Sequence, residues 1–303
     1  MTPMQRWSPY LKERFPVGLN VLVAGLFAGT TGAAALASSG AAWSGAVVCR
    51  LGVAAAILFL AFLHLRIFDE HKDFANDVVS FPERVLSKGI MTLPLLRRLG
   101  MIVIPLEIGL AAVISWPFLV TVLAMIGFSV LMLREFFIAD WLKRHMVLYG
   151  LSHMAILGIM TMVVYVSLQG VFPSSYDPCG RSLLAVTGMM YAFGYSLEIS
   201  RKVRLPEMEK PGVDTYSKRF GIAGALIAVV ICQCLALACL ALSGLPVSRM
   251  VWGVVGLAEL AVLVTNLRLG GQPDLKGLKR ADGLAALPFL FLQIGLIATW
   301  GRG

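Results

Sequence analysis

Three carboxylates recur at four-residue intervals in the segment Arg66-Ile-Phe-Asp69-Glu70-His71-Lys72-Asp73-Phe-Ala-Asn76-Asp77. On a helix, Asp69, Asp73 and Asp77 occupy positions i, i+4 and i+8 and so share one face. Like charges at this spacing repel, so a bare solvated helix gains nothing from them. A divalent cation shared with a phosphate turns that repulsion into binding. Magnesium suits the arrangement because it takes few carboxylates, keeps waters and shares phosphate oxygens. Arg84 and Lys88 follow at once in Pro82-Glu-Arg84-Val-Leu-Ser-Lys88-Gly89. A cation site with two cationic side chains beside it is built for a polyphosphate. The plainer reading is a solvated helix whose acids are neutralised by Arg66 and Lys72.

A second mixed-charge segment begins at Glu198 and runs through Arg201, Lys202, Arg204, Glu207, Glu209, Lys210, Asp214 and Tyr216 to Lys218. Four residues beyond Glu198 stands a lysine, which cannot ligate a metal while protonated. Two readings stay open for a phosphate site here. Arg201 and Lys202 bind the anion directly, with Tyr216 and Lys218 as further contacts, or Glu198 holds a metal together with a later acid such as Glu207. As a third, plainer reading, the basic cluster anchors the chain to anionic lipid headgroups.

The elements that position these segments follow from composition. Of 303 residues, 58% are hydrophobic and only 14% charged, with mean hydropathy +0.81, which excludes a soluble globular domain. Apolar stretches long enough to cross hydrocarbon fall at about 17–37, 43–64, 100–116, 118–138, 146–168, 182–199, 221–242, 248–266 and 284–300. The expected fold is all-α: a polytopic bundle of about nine helices forming one membrane domain over residues 1–303. Loops 65–99 and 200–220 cap its site. Of the 26 Lys and Arg residues, only Arg50, Arg181, Arg249 and Arg302 fall on the side away from these loops. That asymmetry predicts a cytoplasmic N-terminus, cytoplasmic loops and an external C-terminus, and it accounts for the +9 net charge without nucleic acid. The five cysteines, Cys49, Cys179, Cys232, Cys234 and Cys239, lack metal or disulfide spacing and read as small buried residues. Both long loops start on an acid at a helix end and close on a basic residue and Gly, at Gly89 and Gly221, which suggests an internal repeat of about four helices.

The run Asp69-Glu70-x-x-Asp73-x-x-x-Asp77, followed by Pro82-x-Arg84-Val85-Leu86-x-x-Gly89, resembles the first aspartate-rich motif of the UbiA superfamily of intramembrane prenyltransferases. That motif usually reads Asn-Asp-x-x-Asp-x-x-x-Asp, with Arg-Pro and a Gly shortly after. Here Asp69 stands in place of the Asn and Val85 in place of the Pro. The resemblance extends to nine helices and to cytoplasmic loops after the second and sixth. It implies a UbiA-like fold, Mg2+ as cofactor, and transfer of a prenyl group from an isoprenoid diphosphate to a hydrophobic acceptor in the membrane, for which the bacterial inner membrane is the expected location. It further implies that Asp69, Asp73, Asp77 and Glu198 hold magnesium, and that Arg84, Lys88, Arg201, Lys202, Lys218 and Tyr216 contact the diphosphate. The second motif departs from the usual Asp-x-x-x-Asp through Glu198 and Lys202. An isoprenoid cyclase on the same fold and a silent lipid-binding or lipid-moving relative are therefore the alternatives, with a transporter of a phosphorylated solute behind them. Acceptor, chain length and oligomeric state are not set by the sequence.

Weaker signals lie elsewhere. The end of the fourth predicted span, Arg134-Glu135 through Asp140-Trp141, and His153 of the fifth lie at or near the membrane boundary. Either could orient an acceptor or act as a base, and the plainer reading of His153 is a satisfied packing partner between helices. Glu107 and Glu259 are lone acids within spans, conspicuous because an unpaired buried charge is expensive there.

Overall fold

The computed structural model describes residues 3–171, 180–210 and 212–301. Cys179 and Arg302 lie outside the described residues. All regular structure among them is helical. The elements run α1 (Pro3–Arg14), α2 (Val17–Ser39), α3 (Gly45–Ser80), α4 (Leu93–Ala112), α5 (Trp116–Leu133), α6 (Ala139–Arg144), α7 (Met146–Met154), α8 (Ile156–Ser167), α9 (Arg181–Ser200), α10 (Tyr216–Leu242), α11 (Arg249–Gly271), α12 (Leu275–Ala285) and α13 (Leu287–Trp300).

Seven segments are long and apolar enough to cross a membrane: α2, α3, α5, α7 with α8, α10, α11, and α12 with α13. Helices α4 and α9, 20 residues each, stand in the same bundle, α4 against α3 and α5, α9 against α8 and α10. The expected bundle of about nine helices is therefore present. Its exterior carries Leu19, Leu123, Leu257 and Val264 in the open, as a surface solvated by acyl chains requires. The chain is an integral membrane protein. Cys49 and Cys234 are exposed on that surface and Cys232 and Cys239 half-buried, which corrects the expectation that the cysteines are core residues.

Several boundaries differ from the hydropathy reading, each for a local reason. Helix α3 does not stop at residue 64 but continues to Ser80, about 54 Å at 1.5 Å per residue, so its last turns project beyond a hydrocarbon layer of about 30 Å. The fourth span ends at Leu133, not 138, because Glu135, Phe136 and Phe137 all take left-handed backbone angles, with φ of 47°, 54° and 61°. The fifth span divides at Ala155. Just before the break, Ser152 Oγ and His153 Nδ1 both bond the Tyr149 carbonyl, at 3.0 and 2.9 Å, and compete with the helical ladder. The break between α4 and α5 is as expected: Ser115 caps α5 through the Phe118 N–H, and Trp116-Pro117 opens it.

Candidate active site

The acidic face is carried by the projecting end of α3. That helix starts on a capping bond from Val47 N–H to Ser44 Oγ and runs unbroken through Asp69, Asp73 and Asp77, so the three carboxylates do share a face. At its end the chain turns through residues 81–92, a loop packed rather than loose. Val85, Leu86 and Met91 are buried with Ile67 of α3, Leu96 of α4 and Tyr10 of α1. Gly89, at φ +69° with open space around its Cα, supplies the left-handed turn; Gly221 does the same at φ +72° where α10 kinks.

Helix α1, unassigned by hydropathy, is part of this architecture. Glu13 accepts from the Val85 N–H at 3.2 Å, and Arg14 donates to Glu70 at 2.7 Å and lies 3.7 Å from Asp77. Burial alone would lower the Arg14 pKa, but the hydrogen bond and charge of Glu70, and the charge of Asp77, outweigh it and raise it. Tyr10 is raised by burial and by the charge of Glu70. Glu70 is 2% exposed, which no spacing argument about the other three acids reveals. The available signal was the pattern Trp7, Tyr10 and Leu11 at i, i+3 and i+4, an apolar stripe on a short basic helix.

The three predicted acids have different surroundings. Asp77 is gripped by Arg84, with Arg14 behind it. Asp69 is half-exposed, with Lys72 at 3.8 Å and Arg66 at 4.0 Å. Asp73 is half-buried and makes no hydrogen bond or ion pair among the described residues. Lys72 instead reaches Tyr149 on α7, donating to its hydroxyl at 2.9 Å.

The second loop presents a neutralised acid. Glu198, 7% exposed at the end of α9, is held by Arg201 at one oxygen and by Lys202 Nζ at the other, 2.7 Å away. Glu209 accepts from Thr215 and Ser217 and folds the loop, while Thr215 caps α10 through the Lys218 N–H. Glu207 lies exposed on the 3₁₀ turn Pro206–Met208. Tyr216 departs from expectation. It is 2% exposed, its hydroxyl donating to Tyr195 at 3.3 Å within a core, because the N–H of Tyr216 bonds the Lys202 carbonyl and turns the ring inward. It is withdrawn from the set of diphosphate contacts. Lys88 and Lys218 are exposed, with no ion pair among the described residues.

Lys210 joins the two loops. Its ammonium donates to the Ser80 carbonyl at the end of α3 and lies 4.0 Å from the centroid of the Phe81 ring. Arg84 stacks on the same ring at 3.7 Å and Arg204 approaches it at 5.9 Å. Three cations from both loops thus converge on one aromatic side chain, each attracted to the ring. Among the described residues no hydrogen bond or ion pair links Asp69, Asp73 or Asp77 directly to Glu198, Arg201 or Lys202.

No group of three or more His, Cys, Asp or Glu side chains among the described residues is gathered closely enough to hold a metal by itself. Magnesium does not need one, since one or two carboxylates with waters and phosphate oxygens complete its shell. Asp69 and Asp73 fit that requirement as hard oxygen donors one turn apart, one open and one unpartnered. Glu198 does not, since both its oxygens are occupied by cations. An apolar groove of about 520 Å³ between α5, α8 and α9, lined by Val120, Ile159, Met162 and Leu183, lies toward the ends of those helices away from the loops and carries no charged group.

No family model matches the sequence, and no curated protein does. Two solved structures match its fold. A structure described for digeranylgeranylglyceryl phosphate synthase in membranes superposes with a TM-score of 0.64 at 14% identity, covering 99% of this chain and 100% of its own. The apo structure of a UbiA homolog from Aeropyrum pernix K1 gives 0.64 at 16% identity, covering 92% and 98%. The chain shares the fold of these two structures, a UbiA-like fold, over nearly its whole length.

Proposed function

We propose that this protein is a membrane-embedded transferase that moves a prenyl group from an isoprenoid diphosphate to a hydrophobic acceptor, aromatic or lipid. The observation that carries the reading is the acidic face of α3, projecting past the bilayer with Asp73 unpartnered, in a fold shared with a synthase of prenylated glycerol phosphate. Asp69 and Asp73 would hold magnesium, and Asp77 orients Arg84 toward the same place. Magnesium bound there supplies Lewis-acid neutralisation of the leaving diphosphate. Lys88, Lys202, Arg201 and Lys218 bind diphosphate oxygens as fixed positive charges. Of the two readings of the second loop, direct anion binding is favoured by the occupied carboxylate of Glu198. Loops 65–99 and 200–220 cap a single membrane domain, 1–303, and keep water from the allylic cation left when the C–O bond ionises. The N-terminus and loops face the cytoplasm of a bacterial inner membrane, with the C-terminus outside.

The test is incubation of purified protein with magnesium and prenyl diphosphates of several chain lengths, with and without candidate acceptors, reading diphosphate release and prenylated product. Release coupled to product formation is expected. Release with a cyclic product and no acceptor would replace the transferase by a cyclase, and no release under any condition would leave a silent lipid-binding relative.

A further inference from the structure

Near Asp73, two elements carry buried acceptor atoms that make no hydrogen bond. The turn after α5 aims Glu135 inward: it is 7% exposed, and its Oε2 makes no hydrogen bond but is ion-paired with Lys143 at 3.6 Å. The turn adopts three successive left-handed residues to do this, at a cost of about 1–2 kcal/mol each for side chains of this kind. Helix α7 contributes His153, also 7% exposed. Tyr149 stacks on its ring at 4.1 Å, and Phe136 of the strained turn meets it edge-on at 5.7 Å.

The protonation of His153 follows from its partners. Nδ1 lies 2.9 Å from the Tyr149 carbonyl, which can only accept, so Nδ1 carries the hydrogen. The neighbouring Ser152 hydroxyl, 3.3 Å away, already donates to that carbonyl. In the neutral ring Nε2 therefore holds a lone pair, and this atom is buried with no partner. Buried polar atoms are nearly always satisfied, and an orphaned one costs about 1–3 kcal/mol. His153 Nε2 is thus a buried acceptor without a donor, within electrostatic reach of Glu135 and Asp69. Lys72, the neighbouring donor, bonds Tyr149 and lies 3.8 Å from Asp69, and makes no bond to this nitrogen. What satisfies such an atom is a ligand that brings its own donor.

We infer that His153 Nε2, with Glu135 beside it, is the binding point for a hydroxyl-bearing prenyl acceptor, an alcohol or phenol rather than a carboxylate. An ionised carboxylate carries no donor for that nitrogen, whereas a hydroxyl does. The inference rests on the transferase reading for its chemistry: the C1–O bond of the donor breaks with its electron pair leaving on diphosphate, the acceptor oxygen bonds to C1, and its proton passes to His153 Nε2. Charge is conserved, and no other reactant is needed.

The test uses the full-length protein in lipid nanodiscs and 1-naphthol, a neutral apolar phenol, as the hydroxyl probe, with geranylgeranyl diphosphate titrated separately in magnesium. His153→Phe keeps the ring stack but removes the acceptor, and His153→Ala removes it by truncation. Both should weaken 1-naphthol binding by about tenfold, the worth of one hydrogen bond, while diphosphate binding stays within about twofold. His153→Gln, whose carbonyl can accept, should restore naphthol binding yet leave prenyl transfer down by about 100-fold, since an amide cannot take the proton. Equal naphthol binding in the wild type and in His153→Phe, or no binding by the wild type at all, overturns the inference. If naphthol binds through His153 but geranylgeranyl diphosphate neither binds nor turns over, the hydroxyl site stands and the transferase reading falls.

Discussion

Lys202 Nζ lies 2.7 Å from Glu198 Oε1, one helical turn away, while Arg201 takes the other oxygen of the same carboxylate. The site therefore holds one excess positive charge where a pair of acids would hold a metal. Replacing Lys202 by Ala should leave membrane insertion intact and weaken prenyl diphosphate binding by about tenfold or more, as expected for loss of a charge-assisted contact. Replacing it by Asp should do something different. Binding then becomes more steeply dependent on magnesium concentration, because two carboxylates four residues apart call for a second cation. Titration of prenyl diphosphate across a magnesium series reads both effects.

Asp73→Asn should abolish turnover, by about 100-fold or more, while leaving the fold intact, since Asp73 has no ion pair to lose. Chelation of magnesium by EDTA should give the same loss in the wild type and no further loss in the variant. Diphosphate release is the measurement. A variant with wild-type turnover would remove Asp73 from the metal site.

Arg14→Ala should destabilise rather than merely inactivate. It leaves the Glu70 carboxylate, 2% exposed, without its cation, and breaking a buried pair from one side costs about 3–5 kcal/mol. The companion Arg14→Ala/Glu70→Gln should recover most of the loss. Thermal unfolding of the detergent-solubilised proteins, followed by tryptophan fluorescence, to which the buried Trp300 contributes, distinguishes this from a purely catalytic defect, in which the Tm would not move.

Phe137→Gly should stabilise the protein by about 1 kcal/mol. Phe137 is 77% exposed and sits at φ 61°, so its ring contributes little packing while its Cβ carries the steric cost of the left-handed region. Phe136→Gly shares the backbone benefit but forfeits contacts with Phe128 and His153 and should come out destabilised. A rise in Tm for the first and a fall for the second is the expected pair of results.

These particulars show where a linear reading succeeds. Hydropathy places spans because the bilayer imposes a length, and four-residue spacing places Asp69, Asp73 and Asp77 on a face because helical geometry does; α3 obeys both. Interactions across long separations leave no such trace. The bond from Arg14 to Glu70 bridges 56 residues and that from Lys210 to Ser80 bridges 130, so neither the burial of Glu70 nor the joining of the loops is written in any local pattern. Tyr216 shows the converse error. Its place among charged residues marks it as a ligand contact, yet one backbone bond to Lys202 turns it into the core. The strained turn at Glu135 defeats periodicity for another reason, because Glu and Phe carry no propensity for the left-handed region and so give no local sign of it.

The clamp made by α1 also sets an order on biosynthesis. Glu13 closes onto Val85, 72 residues later in the chain, so at 5–20 residues per second the ribosome needs roughly 4–14 s to supply its partner. During that interval α1, with Trp7, Tyr10 and Leu11 uncovered, has only the lipid surface on which to shelter them. Helix α1 thus waits on a turn made well after it, and settles only once residues 81–92 have followed it out of the ribosome.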